Sequence, residues 1–395
     1  MSESWKKYNL GDVCEIIGGG TPSKSNPDFY RGDNWWATVR DMKNDLLFNT
    51  EFKISDVAIK KSATNIIPKG NVIIATRVGL GKICLVQVDS AINQDLKGII
   101  PKKSNQLIPK YIFYWFKSIS NQIIEKGTGA TVKGVKLDFI RTLKIPIPHL
   151  PEQQRIVDIL DQSFAAIDQA IENTTRNLEK ISILFKSYSE SLFNQLSIDY
   201  PVLKFPQLCK LERGSSPRPI KNYVTIDESG VNWIKIGDAT KTNKYIYTTQ
   251  EKITPEGAKK SRYVKAGDLL LTNSMSYGKA YILKTDGYIH DGWFAIKPKD
   301  SIVTEYFWHA LVSPNVEKQF HHLASGAIVK NISSDLVNKV SLPLPPIKIQ
   351  TQIAETLDDF SSQLQEILIL YQKKLKLLHE LKQSILNKAF NGDLS

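Results

Sequence analysis

The sequence predicts an α+β protein in which two tandem mixed α/β domains are separated by two long antiparallel coiled-coil helices, with an internal pseudo-two-fold repeat. Three observations predict this fold. The chain repeats itself at a constant offset of 197 residues, a proline block closes each globular segment, and the hydrophobic period changes after each block. We therefore expect domains at 1–150 and 198–346, followed by long helices at 151–197 and 347–395.

The repeat is visible in landmarks spread along the whole chain. A shift of 197 residues places Trp36 on Trp233 near the start of each half. The same shift places Gln153 on Gln350, more than a hundred residues later. Because one offset relates such distant landmarks, the chain is a diverged tandem duplication.

Each half begins with short β-type runs that follow glycine turns. The clearest pair is 71–76 and 268–272, which follow Gly70 and Gly267. Each half ends in a proline block, Ile-Pro-Ile-Pro-His-Leu-Pro in the first and Leu-Pro-Leu-Pro-Pro in the second. The last proline of each block suits the first turn of a helix, because its fixed φ is helical and its missing N–H is not needed there.

Apolar residues spaced alternately by three and four follow each proline block. In the first half they run from Val157 to Leu192 with an interruption at Thr174, and in the second from Ala354 to Ala389. Such a stripe predicts a coiled-coil helix, and roughly 40 residues extend about 60 Å. The alternative, in which each helix belongs to the core of its own half, is disfavoured because a domain of this size is only about 30–40 Å across.

The composition favours a polyanionic partner. The net charge is +12 and the pI is about 9.3, and clustered Lys and Arg gain from the release of phosphate counterions. Cys14, Cys84 and Cys209 lie far apart among apolar residues, which predicts buried reduced thiols. Neither a signal peptide nor a membrane-spanning run is present in the sequence, so we expect a cytoplasmic protein without a membrane partner.

Catalytic and metal-binding patterns are weak. No phosphate-binding loop matches, and the six histidines show no metal-ligand spacing. A Mg²⁺-dependent nuclease could use Asp28, Glu51 and Lys53, but Thr225 and Thr248 stand opposite the two acids in the second half. We expect no catalytic residue, no metal site and no enzyme activity in this chain.

Polar, basic side chains beside glycine turns are the features present in both halves, and they suit DNA. Arg can bridge guanine, Asn and Gln can bridge adenine, and Lys can hold phosphates. For any single residue, an ordinary solvated loop side chain is the alternative, and Trp36 and Trp233 are expected in the core. The DNA-binding candidates are Lys24, Arg31, Arg40, Arg77, Gln94, Thr128, Lys133, Arg218, Lys235, Lys260, Arg262, Asn273, Ser274, Tyr277 and Lys330.

The order of these features resembles a known family. A globular segment, an Ile-Pro-Ile-Pro block, a Glu-Gln-Gln-Arg-Ile-Val run from Glu152 and a long helix are repeated, and the chain closes on Lys388-Ala389-Phe390. A Gly-Asp-Leu-Leu-Leu strand begins at Gly267. Over essentially its full length the chain is similar to the specificity (S) subunits of type I restriction–modification systems.

The resemblance implies two target-recognition domains, each reading one half of a split asymmetric DNA sequence, with the helices acting as a ruler. It also implies that two modification (M) subunits carry S-adenosylmethionine and methylate adenine, and that restriction (R) subunits join through them. The S chain would need no cofactor. A standalone DNA-binding regulator or architectural protein is the alternative, and would bind DNA tightly without partners. The predicted partner-binding residues are Gln153, Arg155, Ile156, Gln350, Ile353, Leu377 and Leu381.

We predict that inserting one helical turn, about four residues, into both long helices lengthens the gap tolerated between the two half-sites. The reason is that the helices are expected to set the spacing between the readers. Mapping methylated adenines for the altered chain with its M subunit measures the gap. An unchanged gap contradicts the ruler hypothesis.

Overall fold

The structure is a computed structural model that describes residues 5–128, 134–239, 244–273, 278–324 and 332–394. By its contacts the chain divides into two units. The first unit contains Met1–Thr175 together with Lys373–Ser395, and the second unit contains Arg176–Gln372. Each unit therefore includes part of both long helices, whereas the division into four consecutive segments stays a prediction.

The first half of the chain consists of short elements followed by one long helix. Its strands are β1 (Lys7–Asn9), β2 (Cys14–Gly18), β3 (Asn34–Ala37), β4 (Leu46–Leu47), β5 (Phe52–Ile54), β6 (Asn65–Ile67), β7 (Val72–Ala75), β8 (Ile83–Val86), β9 (Ser90–Ile92), β10 (Leu96–Pro101) and β11 (Lys144–Pro146). Its helices are α1 (Leu10–Val13), α2 (Asp56–Lys60), α3 (Pro109–Ser118), α4 (Ser120–Glu125), α5 (Leu137–Thr142) and the long α6 (Leu150–Asp199), with a 3₁₀ turn at Pro27–Tyr30.

The second half repeats this order. Its strands are β12 (Val202–Lys204), β13 (Cys209–Arg213), β14 (Val224–Thr225), β15 (Val231–Ile234), β16 (Tyr245–Ile246), β17 (Glu251–Ile253), β18 (Arg262–Val264), β19 (Leu269–Thr272), β20 (Ala280–Leu283), β21 (Gly287–Ile289), β22 (Trp293–Pro298) and β23 (Ser341–Pro343). Its helices are α7 (Phe205–Leu208), α8 (Ile236–Ala239), α9 (Pro255–Ala258), α10 (Thr304–Leu311), α11 (Pro314–Ala324), α12 (Ser334–Val337) and the long α13 (Ile347–Asn391), with a 3₁₀ turn at Ile220–Asn222.

The sheets of the two halves have the same strand order, apart from one additional edge strand in the second half. The order β2-β10-β7-β8-β4 in the first corresponds to β13-β22-β19-β20-β16 in the second, and β5-β3-β9-β6 corresponds to β17-β15-β21-β18 with β14 added at the edge. The predicted glycine turns precede the equivalent strands β7 and β19, where Gly70 has φ +85° and Gly267 has φ +94°. Only glycine adopts such values at little cost. The predicted mixed α/β duplication is confirmed.

Of the parallel strand pairs in each half, the pair that carries the buried tryptophan positions the loops that follow it. β3 pairs in parallel with β9, and β15 pairs in parallel with β21. Parallel neighbours end at the same edge of a sheet, so the segments after β3 and β9 emerge together, as do those after β15 and β21. Trp36 and Trp233 lie on these strands and are buried, as predicted.

The two long helices run antiparallel within each unit. In the first unit Lys382 donates to Asp168 at 2.6 Å, and in the second Tyr188 packs on Phe360 with ring centroids 5.1 Å apart. Thr174, which interrupts the apolar stripe, is buried, and its hydroxyl donates to the Ala170 carbonyl at 2.6 Å. No helix in the described ranges is both long and apolar enough to cross a bilayer.

The end of each long helix supplies an aromatic side chain to a globular core. Phe390 near the end of α13 packs on Tyr111 in the first unit, with ring centroids 5.1 Å apart. Phe193 near the end of α6 packs on Tyr306 in the second unit, at 6.0 Å. Each core is thus completed by the helix that begins after the other globular segment.

A buried glutamine fixes the start of each long helix. The Gln153 carbonyl accepts from the Ile108 N–H at 3.0 Å, and its amide donates to the Gln106 and Pro148 carbonyls at 2.9 and 2.8 Å. Gln350 makes the same three bonds, to the Val303 N–H at 2.8 Å and to the backbone carbonyls of residues 301 and 345 at 2.9 and 2.8 Å. Both side chains are fully buried, so these bonds replace water.

We predict that Gln153→Ala lowers the free energy of unfolding of the first unit by at least about 2 kcal/mol, because it leaves buried backbone groups without partners. Chemical denaturation followed by fluorescence measures the change. The control is Gln154→Ala, whose side chain is exposed on the same helix turn. Equal stability of the two variants would contradict the proposed anchoring role.

Candidate nucleic-acid interface

A cleft of about 660 Å³ opens where β3 and β9 end, and we call it the first cleft. The buried Trp36 is among the residues that line it, and its indole N–H donates to the Gly20 carbonyl at 3.2 Å. Lys24, Arg40 and Gln94 line it with exposed side chains. The structure therefore gathers three of the predicted DNA-binding residues around one opening.

A second cleft of about 770 Å³ opens where β15 and β21 end. The buried Trp233 lies against it, beside Lys221 and Asp291. Two predicted DNA-binding residues, Arg218 and Lys235, also line this cleft. Lys235 forms an ion pair with Glu251, so its charge is partly neutralised.

The two clefts are repeat equivalents. The shift of 197 residues places Trp36 on Trp233, and both line their clefts. It also places Gln94 on Asp291, so the lining combines repeated residues with diverged ones. A cleft built twice at the same place in the fold is a stronger indication of a site than either cleft alone.

An aspartate holds the loop after each tryptophan strand. The Asp41 carboxylate accepts from the Thr38 N–H at 2.8 Å and from the Glu51 N–H at 2.7 Å. Asp238 likewise accepts from the Lys235 N–H at 2.8 Å and from the residue before β17, Gln250, at 3.0 Å. These backbone bonds fix the rim of each cleft to the neighbouring strand.

A second set of bonds fixes the loop after β9 and after β21. The Thr76 N–H donates to the Asp95 carbonyl at 2.9 Å, and the equivalent Asn273 N–H donates to Gly292 at 3.0 Å. The carbonyls of Thr76 and Asn273 then accept from the N–H groups of Val135 and Ile332, at 2.9 and 2.8 Å. These backbone bonds around the clefts are thus present in both copies.

The first cleft is bridged by a neutral pair. The Thr21 hydroxyl bonds to the Gln94 side-chain carbonyl across the opening. Nearby, the Arg77 guanidinium lies 3.7 Å from the Asp95 carboxylate and is about half exposed. Cationic and amide side chains therefore face outwards around this opening.

The second cleft is bridged by a charged pair. Arg218 donates to one Asp291 oxygen at 3.0 Å, and the Ser216 hydroxyl donates to the other at 2.8 Å. Partial burial alone would raise the pKa of Asp291, but Ser216, His290 and Arg218 together lower it. Burial lowers the pKa of His290, which neighbours Asp291 in the chain.

The chain matches the family model described as type I restriction modification DNA specificity domain, over residues 2–180 and again over 198–375. It belongs to this family. Each copy of the domain contains one of the clefts. The match supports the duplication independently of the strand order.

Several known proteins are similar to this specificity-family chain. The type I restriction enzyme EcoR124I/EcoR124II specificity subunit of Escherichia coli is 32% identical over 197 residues, about half (48%) of each chain. The putative MjaX specificity subunit of Methanocaldococcus jannaschii is 23% identical over 100% of this chain and 94% of its own. A solved structure from work on assembly and conformational transition of the type I R-M system covers 99% of this chain and 98% of its own, with TM-score 0.79 and 20% identity, and shows the same fold.

Other predicted DNA-binding residues of this specificity-family chain lie away from the cleft linings. Arg31 is exposed and pairs with Asp28 at 3.5 Å, and Thr128 is exposed beside its backbone bridge to Gly134. Lys260 lies over the Tyr223 ring, 4.7 Å from its centroid. Lys133, Ser274, Tyr277 and Lys330 lie outside the described residues.

Arg262 belongs to a basic cluster around one carboxylate. Lys210, Lys297 and Arg262 lie 2.7, 3.1 and 3.2 Å from Glu212. The hydrogen bond from Lys210, with Lys297 and Arg262, lowers the pKa of Glu212 to about 2. Arg262 also donates to the Arg213 carbonyl at 2.7 Å, so its guanidinium is anchored within the unit.

The predicted role of Asn273 in direct base contact needs a correction. Its side chain is 2% exposed, and its amide donates to the Asp291 carbonyl at 2.8 Å. A group buried in this way cannot reach a base edge. Asn273 instead positions the loop that carries Asp291.

The predicted partner-binding residues divide into buried and exposed sets. Gln153, Ile156, Gln350 and Ile353 are buried in their own units, so their side chains are not exposed to a partner in this structure. Leu377 and Leu381 are 52% and 47% exposed. Arg155 pairs with Glu152 and donates to the Leu394 carbonyl at 2.8 Å, close to the end of the chain.

The nuclease alternative gains no support from the described residues. Within them, no three or more His, Cys, Asp or Glu side chains come together as metal ligands. Lys53 lies over the Trp35 ring, 4.1 Å from its centroid, and Asp28 pairs with Arg31. Cys14, Cys84 and Cys209 are free and buried, as expected, and burial raises the pKa of each thiol to about 12.

Sequence reasoning missed Thr21, Lys221 and Asp291 as site residues. A signal for one of them was present, because adding the offset of 197 to Gln94 gives Asp291. Thr21 and Lys221 had no such signal. Thr21 is recognised only through its bond across the cleft.

We predict that Asp41→Ala lowers the free energy of unfolding of the first unit by about 1–3 kcal/mol, because two backbone N–H groups lose their acceptor. Thermal unfolding measures the loss. Asp28→Ala is the control, since its carboxylate is exposed and pairs with the exposed Arg31, so a change within about 1 kcal/mol is expected. An unaltered midpoint for Asp41→Ala would contradict the role of this loop anchor.

Proposed function

We propose that this specificity-family chain is the DNA-reading subunit of a type I restriction–modification complex. Each unit reads one half of a bipartite, asymmetric double-stranded target through its cleft and the loops beside it. The chain itself performs no catalysis. The specificity subunits among its relatives support this proposal.

The observation that carries the proposal is the combination of a duplicated framework with diverged cleft residues. The anchors Asp41 and Asp238 make matching bonds in the two units. The lining residues differ, because Gln94 of the first cleft corresponds to Asp291 of the second cleft. Selection for one ligand at two sites would leave similar side chains at both. Two readers of different half-sites need the same scaffold with different groups at its surface.

The charge of the clefts suits DNA. Lys24, Arg40 and Arg77 are exposed in or beside the first cleft, and Arg218 and Lys221 are exposed in the second. Cationic groups of this kind hold phosphates and set the register of a protein on the duplex, while amides and carboxylates nearby contact base edges. The net charge of +12 favours the same partner.

Exposed apolar residues on the long helices support docking of modification subunits. In the second unit Ile369 and Leu370 are 55% and 65% exposed, and in the first unit Leu377 and Leu381 are also exposed. Apolar side chains left in water on a helix indicate a contact surface. In this proposal two M subunits dock there with S-adenosylmethionine bound to them, and R subunits join through the M subunits.

We predict that the full chain, co-purified with its M subunit, selects two short motifs separated by an unread gap from a randomised duplex library. Hydroxyl-radical footprints on the selected DNA should lose protection in one half for Arg40→Ala and in the other half for Lys221→Ala. Affinity should fall about 5- to 150-fold in each case, as expected for about 1–3 kcal/mol per lost contact.

The half-site pattern distinguishes a reading defect from a folding defect. Lys265→Ala changes an exposed lysine outside the described clefts and serves as the control, with both footprints retained. Selection of one contiguous motif, or loss of both footprints in each single variant with unchanged thermal unfolding, would contradict reading by two separate units.

A further inference from the structure

Resting on the function proposed above, we propose that the two pairs bridging the cleft mouths, Thr21–Gln94 and Arg218–Asp291, are specificity-determining residues. In the half-site that its unit reads, the first pair selects an A·T base pair and the second pair selects a G·C base pair. The proposal goes beyond identifying DNA as the ligand, because it assigns a base pair to each unit.

The two pairs share one repeat-equivalent position, because the offset of 197 relates Gln94 to Asp291. The strand registers, with Gly18 opposite Lys97 and Arg213 opposite Phe294, relate Thr21 to Ser216, and each of these two hydroxyls bonds to the side chain across the opening. Arg218 lies two residues after Ser216 and adds a charged bond to Asp291. One partner comes from the segment after β2 or β13. The other comes from the loop after β9 or β21.

The hydrogen bonds that hold the loops around the two pairs are the same in both units. The anchors Asp41 and Asp238 hold one loop, and the backbone bonds of Thr76 and Asn273 hold the other. Because this framework is the same in both units, a difference in what the two clefts bind comes from the bridging side chains themselves. Thr21, Gln94 and Arg218 are exposed and Asp291 is about half exposed, so substitutions at these positions are expected to cost little stability.

The first pair has the groups that recognise an A·T pair in the major groove. A glutamine amide presents one donor and one acceptor, which match the N7 acceptor and N6 donor of adenine. A threonine methyl group packs against the thymine methyl group. Thr21 and Gln94 are exposed, so both groups are accessible.

The second pair has the groups that recognise a G·C pair. Arg218 is 81% exposed and uses one guanidinium N–H for Asp291, which leaves further donors for guanine O6 and N7. Asp291 is 46% exposed, and a carboxylate has about four lone-pair sites, so it can also accept from the cytosine N4 amino group. An ion pair of this kind spans both bases of one G·C pair.

Exchanging the pairs tests the proposal. The full chain carrying Thr21→Arg and Gln94→Asp, bound to its M subunit, is presented with the randomised duplex library. One position of the first half-motif should change from A·T to G·C, with a preference altered by about tenfold or more, while the second half-motif is unchanged. The reciprocal Arg218→Thr, Asp291→Gln chain should change one G·C position of the second half-motif to A·T.

A second variant guards against misfolding of the exchanged chain. Gln94→Glu keeps the size of the side chain, removes its donor, and should lose adenine preference at the same position by about tenfold. Gln122→Glu, on the exposed surface of α4, is the matched control and should leave both half-motifs intact.

The outcomes separate the two proposals. If Gln94→Glu unfolds like the unsubstituted chain and selects the same base with the same preference, the assignment of the pairs is overturned while DNA reading stands. If the unsubstituted complex selects no bipartite motif at all, the proposed function fails first. A change at both half-motifs in either exchanged chain would also overturn the assignment.

Discussion

The fold depends on how each long helix is fixed at its first turn. The buried amides of Gln153 and Gln350 each satisfy three backbone groups from two different segments of the same unit. An amide that accepts and donates in a dry environment tolerates little change in direction, because every bond lost leaves a buried polar group unpaired. These hydrogen bonds therefore fix the direction in which α6 or α13 leaves the globular part of its unit.

The far end of each helix adds a second constraint. Phe390 packs on Tyr111 in the first unit, and Phe193 packs on Tyr306 in the second. Burial of such an aromatic side chain contributes about 3–5 kcal/mol by comparison with alanine. Neither globular segment therefore has a full core from consecutive residues alone. The first core needs the last turns of α13, and the second needs the last turns of α6, which couples the register of both helices to the folding of both units.

The sequence predicted the features that follow from the internal repeat and from the spacing of apolar residues along the helices. The offset between Trp36 and Trp233 predicted equivalent strands, and the apolar stripe from Val157 predicted a long helix. It could not predict what depends on distant strand pairing. The loop after β9 meets the loop after β3 only because these strands pair in parallel across some fifty residues, and that pairing decides which polar side chains share a cleft. The burial of Gln153 and Gln350 could not be predicted for the same reason. A polar residue after a proline block suggests an exposed side chain, and only the tertiary structure shows that both are buried.

A difference in exposure explains how two units with one framework can carry different cleft chemistry. Asp41, Asp238 and the buried tryptophans hold the rim, so their replacement affects stability. The bridging residues are mostly exposed, and substitutions at such positions usually change stability by less than about 0.5 kcal/mol. Because the bridge in each unit bonds within that unit, replacing Arg218 or Asp291 leaves the bonds of Thr21 and Gln94 untouched. The chemistry of one cleft can therefore change without a change in the other, which is the physical requirement for reading an asymmetric target with a duplicated fold.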